Sequence, residues 1–97
     1  MAKRVPTFKV AIPSVLRSYT AGASTVEVEV PAPAPRLRDV FAALDAAYPG
    51  IRFRVMDEAG SVRPHIQVFV GRSVQRDPEA RLPAGAEIML VGALSGG

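Results

Sequence analysis

The sequence contains no cysteine and no tryptophan, and its only histidine is His65. Without cysteine, disulfide bonds and thiolate metal sites are excluded. A single histidine with no partner at ligand spacing predicts no metal site. No apolar run approaches the roughly 18 residues of a membrane span, and residues 1–4 carry charge without an apolar stretch of signal-peptide length behind them. We therefore expect no membrane partner and a cytoplasmic location.

Blocks of like charge are also missing, although twelve Lys and Arg outnumber nine Asp and Glu for a net charge of +3. Because a nucleic-acid stripe usually needs clustered basic residues, we expect no nucleic-acid partner. No glycine-rich phosphate loop, nucleophile elbow or metal motif is present. Asp57 and Glu58 stand beside Gly60, which predicts a solvated turn and not a catalytic carboxylate pair. The sequence therefore predicts a protein that is not an enzyme.

At 97 residues the chain is long enough for a single small domain, 1–97. Alternating apolar residues predict strands, and a stripe at helical spacing predicts one main helix over Leu37–Tyr48. We expect a loop after Pro13. Over Ile51–Met56 the alternation of apolar residues with arginines is consistent with a short strand or an irregular segment, and we expect the latter. The predicted strands are Phe8–Ile12, Thr25–Val30, Ile66–Val70, a stub at Ser73–Val74, and Glu87–Val91.

The last predicted strand is apolar on both faces, which is typical of a strand in the middle of a sheet, including one with parallel pairing. Ile88 and Leu90 would face the core, whereas Met89 and Val91 would lie on the other face with Phe69. One helix can cover only one side of the sheet. The predicted fold is therefore α+β: a β-grasp, or ubiquitin-like, mixed sheet of four to five strands with one main helix on one face.

The sequence ends in Ser95-Gly96-Gly97, and we expect 92–97 to form a flexible carboxyl-terminal tail. Glycines have no β-carbon, so a diglycine can lie extended in a channel too narrow for side chains. A carboxylate at its end is a group that an ATP-using enzyme can activate. The alternative is a frayed terminus of small residues with no role.

Four segments resemble, in order and spacing, the ThiS/MoaD family of ubiquitin-like sulfur carriers, in which the terminal Gly96-Gly97 is the functional signature. These segments are Tyr48–Arg52, Asp57–Gly60, His65–Gly71 and Leu82–Ile88. The stretch Ile12–Arg17, with Thr20 and Gly22, is similar to the start of carriers that serve cysteine-synthase-type enzymes in actinobacteria. Many family members have proline or valine before the diglycine, where this chain has 92–95 as Gly-Ala-Leu-Ser.

The resemblance implies that a ubiquitin-activating-type adenylyltransferase and sulfurtransferase uses ATP and magnesium to adenylate Gly97, so this chain itself binds no cofactor. A sulfur donor then displaces AMP and converts the terminal carboxylate into a thiocarboxylate. This thiocarboxylate passes its sulfur to a sulfur-accepting synthase. Gly96 would pass the narrow channel, and Leu94 and Ser95 would extend the reach. The acceptor stays open among cysteine, molybdopterin, thiazole and sulfur-containing secondary metabolites.

Two other functions share these features. A protein modifier would transfer the same adenylated glycine to lysines, and a plain β-grasp interaction module would make no use of the tail. An uncovered apolar patch at Phe69, Met89 and Val91 predicts a docking surface for the activating enzyme and the acceptor. The alternatives for that patch are coverage by loops or by a second copy, or a register one residue away.

Overall fold

The computed structural model describes residues 5–92. Leu94, Ser95, Gly96 and Gly97, for which the sequence predicts roles, lie outside the described residues. The elements follow the chain as β1 (Thr7–Ala11), a 3-10 helix (Ser14–Thr20), β2 (Thr25–Glu29), α1 (Leu37–Ala47), α2 (Arg52–Val55), β3 (Ile66–Val70), β4 (Ser73–Val74) and β5 (Glu87–Gly92).

The five strands form one mixed sheet in the order β2-β1-β5-β3-β4. β1 and β5 pair in parallel, whereas β1–β2, β3–β5 and β3–β4 are antiparallel. β5 therefore lies in the middle of the sheet, as its apolar residues on both faces predicted. The α+β β-grasp prediction, with a mixed sheet and one main helix, is confirmed.

The core lies between α1 and one face of the sheet. Val40, Phe41 and Leu44 of α1 are fully buried and pack with the inward residues of the strands. The helix begins after Arg36, whose backbone N–H donates to the Asp39 carboxylate at 2.8 Å. That bond satisfies one of the amides that a helix leaves unpaired at its amino terminus. The inward strand residues are Phe8, Val10, Val26, Val28, Ile66, Val68, Ile88 and Leu90.

Two segments expected to be irregular are helical, and the expectation was wrong for both. After Pro13 the chain forms the 3-10 helix, in which Leu16 and Thr20 are buried. Over Ile51–Met56 the chain forms α2, which buries Ile51 and Val55 one helical turn apart. The alternation of apolar residues in this segment suggested one common face.

The start of α2 is held by the carboxylate of Asp45 at the end of α1. Its Oδ1 accepts hydrogen bonds from the backbone N–H groups of Gly50 at 2.9 Å and Arg52 at 3.1 Å. Gly50 adopts a φ of 97°, a left-handed conformation that favours glycine. With Ile51 and Val55 turned inward, Phe53 is left 49% exposed. The helical geometry of α2 therefore puts an aromatic ring on the surface.

The last strand extends one residue further than predicted and includes Gly92, which pairs with Ile66 of β3. The predicted tail, 92–97, therefore begins within the sheet, and its other residues lie outside the described part of the chain. The segment that leads toward Gly97 thus leaves from a central strand whose position is set by neighbours on both sides.

Candidate functional site

A row of apolar side chains crosses four adjacent strands on the face of the sheet that α1 does not cover. The register pairs Val74 with Phe69, Phe69 with Met89, and Met89 with Ala11. Val91 lies two residues along β5 from Met89 and therefore on the same face. We call these five residues the open-face patch. The structure brings together all three described residues that the sequence predicted for docking.

The open-face patch is accessible in the chain as described. Met89 is 43% exposed, Val91 38% and Val74 50%, while Phe69 is partly buried between its neighbours. Their sequence neighbours Ile88, Leu90 and Val68 are buried, so the alternation of the strands separates patch from core without ambiguity. Isolated exposed apolar residues are ordinary on a protein surface, but a continuous row is typical of an interaction site.

Charged side chains border the patch on one side. Lys9 of β1 pairs with Glu27 of β2 and with Glu87 of β5. Lys9 lies two residues before Ala11 in β1, and Glu87 lies two residues before Met89 in β5. All three charged side chains are exposed. An apolar centre with a charged margin is the arrangement found in transient protein interfaces, in which the margin affects partner choice and association rate.

The end of β5 emerges beside the start of the 3-10 helix. A β-carbon added at Gly92 would lie 3.2 Å from Val15 Cγ2 and 4.0 Å from Pro13 Cβ. Val15 is 58% exposed. Gly92 alternates with the outward Val91 and pairs with the buried Ile66, so Val15 lies on the opposite side of the sheet from the open-face patch.

Sequence reasoning did not include Ala11 and Val74 in the docking surface. The alternation of β1 puts Ala11 on the outer face with Lys9, but only the parallel pairing of β1 and β5 places it beside Met89. Val74 lies on a two-residue strand, which is too short for an alternation signal.

The other residues singled out in the sequence have structural surroundings. His65 is exposed in a turn just before β3, and within residues 5–92 no three His, Asp or Glu side chains approach closely enough to hold a metal ion. Asp57 Oδ1 accepts hydrogen bonds from the N–H groups of Ala59 at 2.9 Å and Ser61 at 3.0 Å. The carboxylate therefore stabilises a turn, as predicted.

The helices within residues 5–92 are too short or too polar for any of them to cross a bilayer.

Comparison with solved structures reveals close similarity in fold. The chain superposes on the Amycolatopsis orientalis BexX/CysO complex structure with a TM-score of 0.79 and 25% identity, covering 93% of this chain and 99% of that one. SAMP1 from Haloferax volcanii matches with a TM-score of 0.75 and 26% identity, over 94% and 99% of the two chains. Mycobacterium tuberculosis CysO shares the fold at a TM-score of 0.77 and 24% identity, over 90% and 99%.

No protein-family model and no curated protein matches the chain. The structural neighbours are ubiquitin-like proteins of the ThiS/MoaD type, CysO being the actinobacterial one, so the predicted resemblance is confirmed. They include sulfur carriers and a small archaeal modifier protein, and they are not enzymes. A ubiquitin-like carrier or modifier role is thereby supported for this chain, which fits the prediction that it has no catalytic activity of its own.

Proposed function

We propose that this protein is a ubiquitin-like sulfur carrier that works through the carboxylate of Gly97. A ubiquitin-activating-type adenylyltransferase and sulfurtransferase binds the open-face patch and activates that carboxylate with its own ATP and magnesium. The resulting thiocarboxylate donates sulfur to a sulfur-accepting synthase. The synthase binds the same patch after the activating enzyme has dissociated.

The observation that carries the proposal is the position of the open-face patch relative to the end of β5. Met89 and Val91 belong to the patch, and Gly92 follows directly in the same strand. An enzyme docked on these side chains holds the strand that leads to Gly97 in a defined direction. The similarity in fold to sulfur carriers, one of them in a complex with BexX, supports the same function.

The chemistry needs two displacement steps. An oxygen of the Gly97 carboxylate attacks the α-phosphorus of ATP, pyrophosphate leaves, and an acyl-adenylate forms. A hydrosulfide or persulfide sulfur then attacks the acyl carbon and AMP leaves; a persulfide donor also requires a thiol to cleave the remaining sulfur–sulfur bond. Adenylation is required because the oxygen of a free carboxylate is a poor leaving group. The absence of cysteine means that no thiol of this chain can intercept the activated acyl group.

Gly96 and Gly97 suit this reaction because a channel that excludes water from an acyl-adenylate has to be narrow. A β-carbon at either position would need space that a diglycine does not. Leu94 and Ser95 would give the tail enough length to reach from the patch to the ATP site, since an extended residue spans about 3.3 Å.

The test is the intact mass of the protein after incubation with its activating enzyme, ATP, magnesium and a sulfide source. We expect one oxygen to be replaced by sulfur in the wild-type chain and no change in Gly97→Ala. The mass of the protein isolated from cells should also place Gly97 at its carboxyl terminus. Residues retained beyond Gly97 in that material would refute the proposal.

Gly85→Ala is a matched control for Gly97→Ala. Gly85 has a left-handed φ of 72° with no atom within 4 Å of an added β-carbon, so alanine there strains the backbone without a clash. We expect this control to lower stability by about 1 kcal/mol and still to be activated. Gly97→Ala should keep its full stability and lose activation. Adenylation of Gly97→Ala at the wild-type rate would contradict the assigned role.

A second candidate function is protein modification, which the similarity to the small archaeal modifier protein SAMP1 favours. The adenylation step is the same, but a lysine amine of a target takes the place of sulfur and AMP leaves as an amide bond forms. Trypsin cleaves this chain for the last time after Arg81, so a modified lysine would carry residues 82–97 as its remnant. Peptides with that remnant, found by mass spectrometry in wild-type cells and absent with Gly97→Ala, would support this function. Thiocarboxylate without such conjugates would support the carrier.

A further inference from the structure

A second surface, on the helical side of the molecule, gathers three arginines that are not adjacent along the chain. Arg52 and Arg54 belong to α2, which contacts α1, and Arg63 lies in the segment before β3. Tyr19 of the 3-10 helix and the exposed Phe53 lie among them. We call these five residues the arginine surface. It shares no residue with the open-face patch.

Fixed contacts position each guanidinium group. Arg54 Nε donates to Tyr19 Oη at 2.6 Å, and Arg63 Nε donates to the backbone oxygen of Phe53 at 2.7 Å. The Arg52 guanidinium carbon lies 5.1 Å from the centre of the Phe53 ring. In Arg54 and Arg63 this internal hydrogen bond uses only the Nε–H group. The N–H donors of the two terminal nitrogens are not used by it. Such tethering lowers the entropy lost when a guanidinium binds a partner.

The three guanidinium groups of this surface form no ion pair within the described chain. Over residues 5–92, no carboxylate oxygen lies within 4.0 Å of a nitrogen of these three guanidinium groups. At the start of α1 the situation differs, because Arg36 and Arg38 both pair with Glu79. Ion pairing is thus available on this chain and is used elsewhere.

We propose that the arginine surface binds an acidic segment of a partner protein, with carboxylates on the guanidinium groups and an apolar side chain against Phe53. Phe53 is 49% exposed and offers the apolar contact. A guanidinium fork matches a carboxylate with two parallel hydrogen bonds, which gives direction as well as attraction. Arginine and aromatic residues together are typical of the residues that dominate interface affinity.

The rings are poorly placed for the alternative occupant, a single-stranded nucleic acid. Binding of that kind depends on bases stacking on free aromatic faces. Here Arg52 lies over Phe53, and the half-buried Tyr19 has the Arg54 guanidinium on one side and Gly50 against its Cε1 edge. What the surface leaves accessible is a set of hydrogen-bond donors with one apolar ring edge, which suits carboxylates better than bases.

The inference is independent of the chemistry proposed for Gly97, because the two surfaces have no residue in common. A partner on the arginine surface leaves the open-face patch free for an activating enzyme. A failure of one proposal therefore leaves the other standing, and substitutions in one surface test it alone.

The experiment measures binding of a fluorescein-labelled peptide of glutamates with a central leucine to the full chain, by fluorescence anisotropy at low and at physiological salt. Arg54→Gln/Arg63→Gln is expected to weaken binding about tenfold, as two charge-assisted contacts are lost. Arg72→Gln/Arg81→Gln removes the same charge from exposed positions elsewhere and should leave affinity nearly unchanged. Thermal denaturation checks that both variants fold.

Single substitutions at Arg54 and a competing nucleic-acid probe distinguish carboxylate binding from other causes of a weaker affinity. Arg54→Gln alone removes one exposed guanidinium group together with its hydrogen bond to Tyr19, and it should still weaken binding. Arg54→Lys should restore part of the affinity through its charge. An oligothymidylate of similar length and charge serves as the competing probe. Equal losses in the two double variants, no measurable binding of the peptide, or tighter binding of the oligothymidylate that the Arg54 and Arg63 substitutions abolish would each overturn the proposal.

Discussion

Alanine substitutions at Met89 and Leu90 separate the docking role of β5 from its structural role, because the two residues are neighbours in the chain and lie on opposite faces of the sheet. Met89 is 43% exposed and Leu90 only 2%. Fully burying a side chain of this size contributes about 1.5–3 kcal/mol. Since nearly half of Met89 is already exposed, Met89→Ala should lower the free energy of unfolding by about 1 kcal/mol at most.

Leu90→Ala should behave differently. Removing a buried leucine costs about 2–5 kcal/mol, since the transfer free energy is lost and a cavity remains. At about 4–8 °C for each kcal/mol in a domain of this size, the midpoint of thermal unfolding should fall by roughly 10–40 °C. The same conversion gives at most about 8 °C for Met89→Ala. The two variants therefore differ in stability by an amount that any thermal scan resolves.

For binding to the activating enzyme, Met89→Ala should have the larger effect and Leu90→Ala the smaller. Met89 lies in the middle of the open-face patch, where truncation of an anchor typically costs more than 1 kcal/mol, so Met89→Ala should raise Kd about tenfold by isothermal titration calorimetry. Leu90→Ala, measured well below its unfolding midpoint, should bind nearly as the wild type. Thr7→Ala is the control, because Thr7 lies on the same face of the sheet but outside the open-face patch. This variant should leave Kd unchanged.

Two results would refute the reasoning. If Met89→Ala and Leu90→Ala lower the unfolding midpoint equally, the assignment of faces along β5 is wrong. If Met89→Ala leaves Kd unchanged while the chain is folded, the patch is not where the activating enzyme docks.

Phe69→Ala should weaken enzyme binding more than it lowers the unfolding midpoint, measured by calorimetry and thermal denaturation; the reverse order would make Phe69 a packing residue. Asp45→Ala should cost about 1–2 kcal/mol of stability in urea unfolding because two backbone amides lose their acceptor, and an unchanged midpoint would exclude that capping role. Gly92→Ala should be tolerated within about 1 kcal/mol, since the exposed Val15 can move aside, and a Val15→Ala background should remove the remaining cost.

The capping prediction for Asp45 also bears on the arginine surface. Asp45 holds the start of α2, and α2 carries Arg52, Phe53 and Arg54. Asp45→Ala is therefore expected to loosen peptide binding at the arginine surface and to leave docking at the open-face patch intact. Equal weakening at both surfaces would indicate a general loss of structure.

Local periodicity was enough to predict most of the strands and the main helix. Val26 and Val28 alternate with glutamates, and the helical stripe of Val40, Phe41 and Leu44 reads as one buried face. These patterns work because burial is decided by the position of a side chain on its own element. They failed over α2, where the apolar residues and arginines alternate as in a strand, yet Asp45 and Gly50 start a helical turn that the alternation does not reveal.

The amino-acid sequence by itself determined which side chains of the long strands and of α1 are buried, since a strand repeats every two residues and a helix every 3.6. The sequence therefore placed Met89 and Leu90 on opposite faces of β5 without any knowledge of how the strands pair. Only the tertiary structure decided which outward residues meet: the parallel pairing of β1 with β5 placed Ala11 beside Met89, and the packing of α2 brought Arg54 to Tyr19. Contacts between residues far apart in the chain depend on the register and packing of whole elements, and no local pattern encodes that choice.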